Sequence, residues 1–219
     1  MALYVVDYKL GGNLFSVLNS LDAIGVKYHV SSDLDELKQA SKIIFPGVGN
    51  FAAAAQSLEN LKLKGFLKER IEENTPFLGV CVGMQLLFDT STEPSDQGAF
   101  HDGIAAIPGT IDKLSKKADY KIPHMGWNQV KISSSQNPLF KGVEDNSDFY
   151  FVHSFAYNFN ADEKILAKYP KAEFCKTSHS EDFASSFWNG EALFATQFHP
   201  EKSAKQGLQI LKNFTEVDL

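Results

Sequence analysis

At 219 residues, 43% hydrophobic and 22% charged, the chain can bury a sizeable core and fits one α/β domain over residues 1–219. A net charge of −6 with no basic run argues against nucleic acid as the main partner. Two cysteines argue against a disulfide framework and suit a reducing, cytoplasmic setting, and the short apolar start, interrupted by Asp7, reads neither as a leader nor as a membrane span.

In chain order, residues 3–6 predict a first strand, and Asp7-Tyr8-Lys9-Leu10-Gly11-Gly12-Asn13 a turn. Phe15, Leu18, Leu21, Asp22 and Gly25 then predict a helix with a glycine stop. A glycine turn between strand and helix can cradle phosphate. This one has neither Gly-x-Gly-x-x-Gly nor Gly-Lys-Ser, which argues against a nucleotide there. Residues 26–30 predict a second strand, Asp33 caps a short helix at 34–37, and 43–45 a third strand. That strand ends at Pro46-Gly47-Val48-Gly49, which reads as a plain glycine turn or as a loop that can aim an N–H at a developing oxyanion. Helices are predicted at 51–58 and 63–73.

Residues 76–88 begin as an apolar strand and continue with Met84, Leu87 and Phe88 at helical spacing. Between the two lies Gly79-Val80-Cys81-Val82-Gly83, the thiol form of a nucleophile elbow. Its glycines permit a tight backbone, and the start of the following helix favours negative charge. The alternative is a buried structural cysteine. Strand and helix alternate up to this point, which predicts a parallel sheet covered by helices on both faces.

Beyond the elbow, 89–102 reads as a solvated polar loop, followed by short strands at 104–107, 110–114 and 129–132. Met125 and Trp127 beside Gly126 read first as core filling. A turn or one-turn helix is predicted at 137–142, and strands at 149–153, 164–168, 174–177, 183–187 and 193–198. Cys175 reads as a small apolar strand residue. His29, His101 and His179 have no ligand spacing, so neither a metal nor a cofactor is expected. A helix over 204–214 closes the chain, with Leu208, Leu211 and Phe214 on one face. The strand over 193–198 is expected to end at His199, where His199 and Glu201, two residues apart, share a side and Pro200 stiffens the link. A thiol, an imidazole and a carboxylate are what cysteine-based acyl transfer requires.

With the elbow and His199-Pro200-Glu201 in one sequence, the chain resembles the class I glutamine amidotransferases, which carry both. Within them it is most similar to the glutaminase subunits of imidazole glycerol phosphate synthase. The residues behind that match are Pro46-Gly47-Val48-Gly49, Gly83-Met84-Gln85-Leu86-Leu87, Pro123-His124-Met125-Gly126-Trp127-Asn128, Tyr150-Phe151-Val152-His153-Ser154 and Phe198-His199-Pro200-Glu201-Lys202-Ser203. Met84 stands where relatives serving anthranilate or GMP synthesis usually have His. The resemblance implies a three-layer, flavodoxin-like α/β fold with a mostly parallel sheet and additional antiparallel strands in the C-terminal half. It implies that Cys81 attacks L-glutamine, His199 moves the proton and Glu201 orients His199. Val82 with Gly47, Val48 and Gly49 would form the oxyanion hole, and Gln85, His153 and Ser154 would hold the substrate. Ammonia would pass to a (β/α)₈ cyclase subunit in a heterodimer, met by Trp127, Asn128 and Lys202.

Three departures accompany the match. The family usually has Asp-Tyr-Gly-x-Gly-Asn where this chain has a loop one residue longer that lacks the first glycine. Gly103-Ile104-Ala105 replaces Gly-Leu-Gly, and Phe155 stands where Tyr is common. These leave room for a glutaminase feeding a sugar-modifying synthetase in surface polysaccharide synthesis. A non-catalytic binding subunit is disfavoured by the presence of all three presumed catalytic residues. A cysteine peptidase is disfavoured by His-Pro-Glu together with the Pro46 loop.

Overall fold

A computed structural model describes residues 2–9, 13–94, 101–133 and 136–218. Leu10, Gly11 and Gly12 of the first turn, and residues 95–100 of the predicted polar loop, lie outside them. The first half alternates as expected: β1 (Leu3–Val6), α1 (Leu14–Ala23), β2 (His29–Ser31), α2 (Leu34–Leu37), β3 (Lys42–Phe45), α3 (Phe51–Asn60), α4 (Leu63–Glu72) and β4 (Phe77–Val80). After the elbow come α5 (Val82–Gln85), β5 (Phe88–Ser91), β6 (His101–Asp102), β7 (Ile107–Lys113), β8 (His124–Val130), β9 (Ser147–His153) and β10 (Phe155–Ala156). The chain closes with α6 (Asp162–Lys168), β11 (Glu173–Ser178), β12 (Asp182–Trp188), β13 (Leu193–Thr196) and α7 (Ala204–Glu216).

The main sheet has the order β2-β1-β3-β4-β13-β12-β11. Its first five strands are parallel; β12 and β11 add antiparallel pairings at one edge. Every residue of β1, β3, β4 and β13 is buried, which is why these runs are apolar without alternation. The exception is Lys42, whose ammonium donates to the Thr215 and Val217 carbonyls at the end of α7. The order 2-1-3-4 with β13 in fifth place is the flavodoxin-like winding, whose ligands sit beyond the carboxyl ends of the strands. Right-handed crossovers put α1 on one face, where it packs against α7, and α2 to α4 on the other. Beside this sheet lie a four-stranded sheet, β10-β7-β5-β6, and the antiparallel pair β8-β9.

Several elements differ from the sequence expectations. The helix after the elbow stops at Gln85, and Phe88 opens a strand. The Leu86, Leu87 and Phe88 carbonyls are taken by the amides of residues 104–107, so tertiary hydrogen bonds replace further helical ones. For the same reason 104–106 form a turn, and only Ile107 enters β7. The polar loop at 89–102 contains most of β5 and all of β6. Residues 164–168 form a helix, started by Asp162 and Glu163 in the first turn; its buried residue is Ile165. In α1 the buried side runs through Val17, Ser20 and Leu21, while Phe15 is 75% exposed. The second strand begins at His29, not 26, and the last ends at Thr196, before His199. Met125 and Trp127 are not core filling: they lie in the first half of β8, 64% and 53% exposed. Asp33 caps α2 as expected, accepting from the Asp35 and Glu36 amides.

Candidate active site

Cys81 ends β4 with φ 53° and ψ −109°, a conformation that costs a residue bearing a Cβ about 1–3 kcal/mol. Its amide donates to the Thr196 carbonyl at 2.7 Å, and its carbonyl accepts from the Gln85 amide at 3.1 Å. The flanking glycines are needed for space. A Cβ on Gly83 would sit 2.0 Å from the Phe45 carbonyl oxygen, and one on Gly79 would sit 2.9 Å from the Gly83 oxygen. The elbow therefore lies directly against the end of β3. Its thiol is buried, under a cavity of about 400 Å³ that Gln85, Glu93, Ser154, His199 and Lys202 help to line.

His199 reaches Cys81 from the turn after β13. Its amide donates to the Tyr150 carbonyl at 2.9 Å, and its carbonyl accepts from Ser203 Oγ at 2.6 Å. Nδ1 lies 2.7 Å from Glu201 Oε1, with both side chains fully buried, and Asn13 Nδ2 donates to the same carboxylate oxygen at 3.1 Å. Nε2 is left for the sulfur, which is in electrostatic contact but not in an aligned hydrogen bond. Burial alone would lower the pKa of His199. The charge of Cys81 beside it outweighs burial, the Glu201 hydrogen bond and charge add to it, and the imidazole is held up at about 10.

The Pro46–Gly49 segment packs across this elbow, with Gly49 at φ +94°. A Cβ on Gly47 would meet the Gly83 nitrogen at 2.6 Å and the Tyr8 hydroxyl at 2.7 Å. Of the four residues expected at the oxyanion hole, Val82 and Val48 have engaged amides. The Val82 N–H donates to the Gly47 carbonyl at 3.3 Å, and the Val48 N–H donates to the Tyr8 hydroxyl. Burial pushes the Tyr8 phenol up, and the charge of Cys81 adds to that.

Gln85 is buried beside the cavity, its Nε2 donating to the Phe155 carbonyl at 2.8 Å and to Gln197 Oε1 at 3.1 Å. His153 lies below the Ser154 rim. Its Nδ1–H donates to the Phe155 carbonyl at 3.0 Å, so its Nε2 accepts from His124 Nδ1–H at 3.1 Å, and His124 Nε2 accepts from Asn128 at 3.2 Å. Each acceptor role requires a neutral ring. Burial, then the neighbouring histidines, lower His153 to about 3 and His124 to about 4. Because these folded values lie below the ordinary 6.5, the stability they support is complete above pH 6.5 and is lost as pH falls toward 4. At about 1.4 kcal/mol per pH unit for a fully buried group, His153 alone should cost the fold about 2 kcal/mol between pH 6.5 and 5. Urea unfolding at the two pH values checks this; a His153→Gln chain with the same acid sensitivity as the native one would contradict it.

Of the residues expected at a partner face, Trp127, Lys202 and the intervening Tyr150 ring lie together: Trp127 is 6.1 Å from that ring and the Lys202 ammonium 5.9 Å. Asn128, one residue along the same strand, faces the other way, and its amide is engaged by His124 and the Ser178 carbonyl. Sequence reasoning missed Tyr8, Asn13, Glu93 and Gln197. Glu93 carries a carboxylate into the cavity, where Oε2 accepts from the Phe51 amide at the start of α3 at 2.7 Å. Nothing local marks these four. The one available signal was that Gln197 belongs to the same stretch as His199.

The fold and this cluster define a cysteine-based amide-transfer protein, and a family model described as glutamine amidotransferase class-I matches residues 5–217; the chain belongs to that family. It is 41% identical to the imidazole glycerol phosphate synthase subunit HisH of Methanocaldococcus jannaschii, over 97% of this chain and 98% of that one. It is 40% identical to the protein of the same name from Moorella thermoacetica, over 97% and 93% of the two chains. In fold it is similar to the glutaminase domain of Trypanosoma brucei CTPS with bound acivicin, with a TM-score of 0.65 at 18% identity over 100% of this chain and 95% of that one. It is also similar to PurLQS from Thermotoga maritima, with a TM-score of 0.68 at 16% identity over 98% and 97%. Among the described residues no helix is long and apolar enough to cross a membrane.

Proposed function

We propose that the chain, acting as one domain, is the cytoplasmic glutaminase subunit of an imidazole glycerol phosphate synthase, paired as a heterodimer with a (β/α)₈ cyclase. The observation that carries this reading is the Cys81 sulfur set against the fully buried His199–Glu201 pair on the floor of the cavity. The Cys81 sulfur attacks the side-chain carbonyl carbon of glutamine. His199 gives its proton to the departing nitrogen, and Glu201 keeps Nδ1 protonated so that Nε2 does the transfer. Ammonia leaves, water adds to the glutamyl thioester with His199 as base, and glutamate departs. Glu93 offers a counter-charge for the substrate ammonium, and Gln85 with the His153-Ser154 backbone borders its other end. The Val82 and Val48 amides reach the oxyanion only after leaving Gly47 and Tyr8. A partner that shifts the Pro46 loop would thereby gate the reaction.

Glutamine hydrolysis tests the reading, measured on the chain alone and with a histidine-pathway cyclase subunit and its nucleotide substrate. Low activity that rises at least tenfold with both additions is expected, since two oxyanion donors at about 3 kcal/mol each are at stake. Hydrolysis that depends on Cys81 but is indifferent to the cyclase would overturn the pathway and favour the polysaccharide synthetase. The adjoining Trp127, Tyr150 and Lys202 side chains support a partner face there, and Trp127→Ala should weaken association with the cyclase by about 2 kcal/mol.

A further inference from the structure

A second polar chain reaches the Cys81 sulfur, and the proton transfers above do not use it. It consists of two buried side-chain amides, Gln85 and Gln197, between a backbone carbonyl and the sulfur. The direction of every hydrogen bond in it is fixed. The Phe155 carbonyl can only accept, so Gln85 must present its NH₂ there, at 2.8 Å. The second hydrogen of that NH₂ points to Gln197 at 3.1 Å, which therefore turns its oxygen toward Gln85. Gln197 is left with its NH₂ toward Cys81 Sγ at 3.7 Å. Flipping either amide would set donor against donor or acceptor against acceptor at buried side chains. The amide N–H of Gln197 holds it in place from the other side, donating to the Ser185 carbonyl at 2.9 Å.

We infer that Gln197 is a further catalytic residue of this site, a fixed donor to the Cys81 sulfur that stabilises the thiolate. The inference rests on the reading of Cys81 as nucleophile and deepens it. When the S–C bond forms, the sulfur contributes an electron pair and its charge passes to the oxyanion, so the Gln197 contact weakens. When water has added to the thioester and the S–C bond breaks, the pair returns to sulfur and the Gln197 N–H meets it. A donor in this place assists the sulfur as leaving group and holds it in its charged form between turnovers. His199 remains the only proton carrier; Gln197 moves no proton. Gln85, one bond further back, is a positioning residue for Gln197 as well as a wall of the substrate cavity.

The test reads the thiol without glutamine, so its result does not depend on which amide the enzyme cleaves. Iodoacetamide labelling of Cys81 is followed on its own peptide by mass spectrometry from pH 5 to 9, in the full-length native chain, Gln197→Met and Gln197→Glu. Methionine keeps the bulk and removes the donor; glutamate keeps an oxygen facing Gln85 and, where it is ionised at the upper end of the pH range, offers the sulfur only acceptors. Labelling at pH 7 is expected to slow about tenfold in each folded variant, with half-maximal labelling moved to higher pH. A purely structural Gln197 would lower the unfolding temperature and leave the labelling profile of the folded fraction unchanged, and that result overturns the inference. If Gln197→Met fails to fold, the Gln197→Glu profile alone decides, by the same criterion. Native chain that labels normally yet never hydrolyses glutamine would instead count against the proposed function, and the labelling comparison would still stand.

Discussion

Cys81→Ala should abolish glutamine hydrolysis, with a loss on the order of 10⁴-fold or more, while leaving the fold intact. Alanine carries the same Cβ through the φ of 53°, so the elbow's strain is unchanged, and only the sulfur and its contacts are lost. His199→Asn should be nearly as damaging, because among the described residues His199 is the base set against the sulfur. Glu201→Gln should cost less, about 10²- to 10⁴-fold, because the imidazole and sulfur remain and only the carboxylate that fixes its tautomer is gone. Cys81→Ala and Glu201→Gln, which keep the imidazole, should also change its titration. Since Cys81 contributes most to holding His199 near 10, with Glu201 next, each removal should let the imidazole titrate lower. With the pKa raised in the folded chain, the stability linked to His199 is complete below pH 6.5 and is lost as pH rises through 10; Cys81→Ala should flatten that alkaline limb. A ring-proton titration of His199 by NMR checks this, and an unchanged midpoint in Cys81→Ala would show that the sulfur and imidazole are not coupled.

The parts of this molecule that the sequence made legible are those set by local pattern. The mostly apolar runs of β1, β3, β4 and β13 are recognisable because both faces of a central parallel strand are covered. Asp33 ahead of α2 is recognisable because its side chain serves the amides two and three residues on. The elbow and His199-Pro200-Glu201 are likewise short-range, and the sheet order sets them side by side through the β4–β13 pairing, Thr196 opposite Val80. What stayed hidden depends on partners far away in the chain. The helix after Cys81 ends early because residues 104–107 claim its carbonyls. Asn13 matters because it reaches Glu201, 188 residues on, and Gln197 because it faces Cys81, 116 residues back. Glu93 lies in a stretch whose mixed charges resemble any solvated loop, and only the fold turns it inward. Position 128 shows the limit of carrying roles by motif: a strand alternates, so Trp127 and Asn128 cannot face one partner equally.

Gly83→Ala should be strongly destabilising, lowering stability by about 4 kcal/mol or preventing folding. The added Cβ would lie 2.0 Å from the Phe45 carbonyl oxygen and 3.1 Å from its carbon, well inside contact, and the obstacle is backbone, which cannot rotate aside as a side chain does. Relief would require moving β3 away from the elbow. That strand is paired with β4 through Ile43, Ile44 and Phe45, and with β1 on its other edge. The movement would carry Pro46–Gly49 with it, so any chain that still folds should lose the contact between the Gly47 carbonyl and the Val82 amide as well. Gly49→Ala is the informative comparison. Nothing lies within 4 Å of a Cβ there, and its φ of +94° penalises alanine through the backbone alone. Its destabilisation should stay near 1–2 kcal/mol, yet it should depress glutamine hydrolysis through the loop that must shift. Denaturant unfolding of the two variants separates the effects. Equal losses at 83 and 49 would mean that backbone conformation, rather than the close approach of β3 to the elbow, is what demands glycine beside the nucleophile.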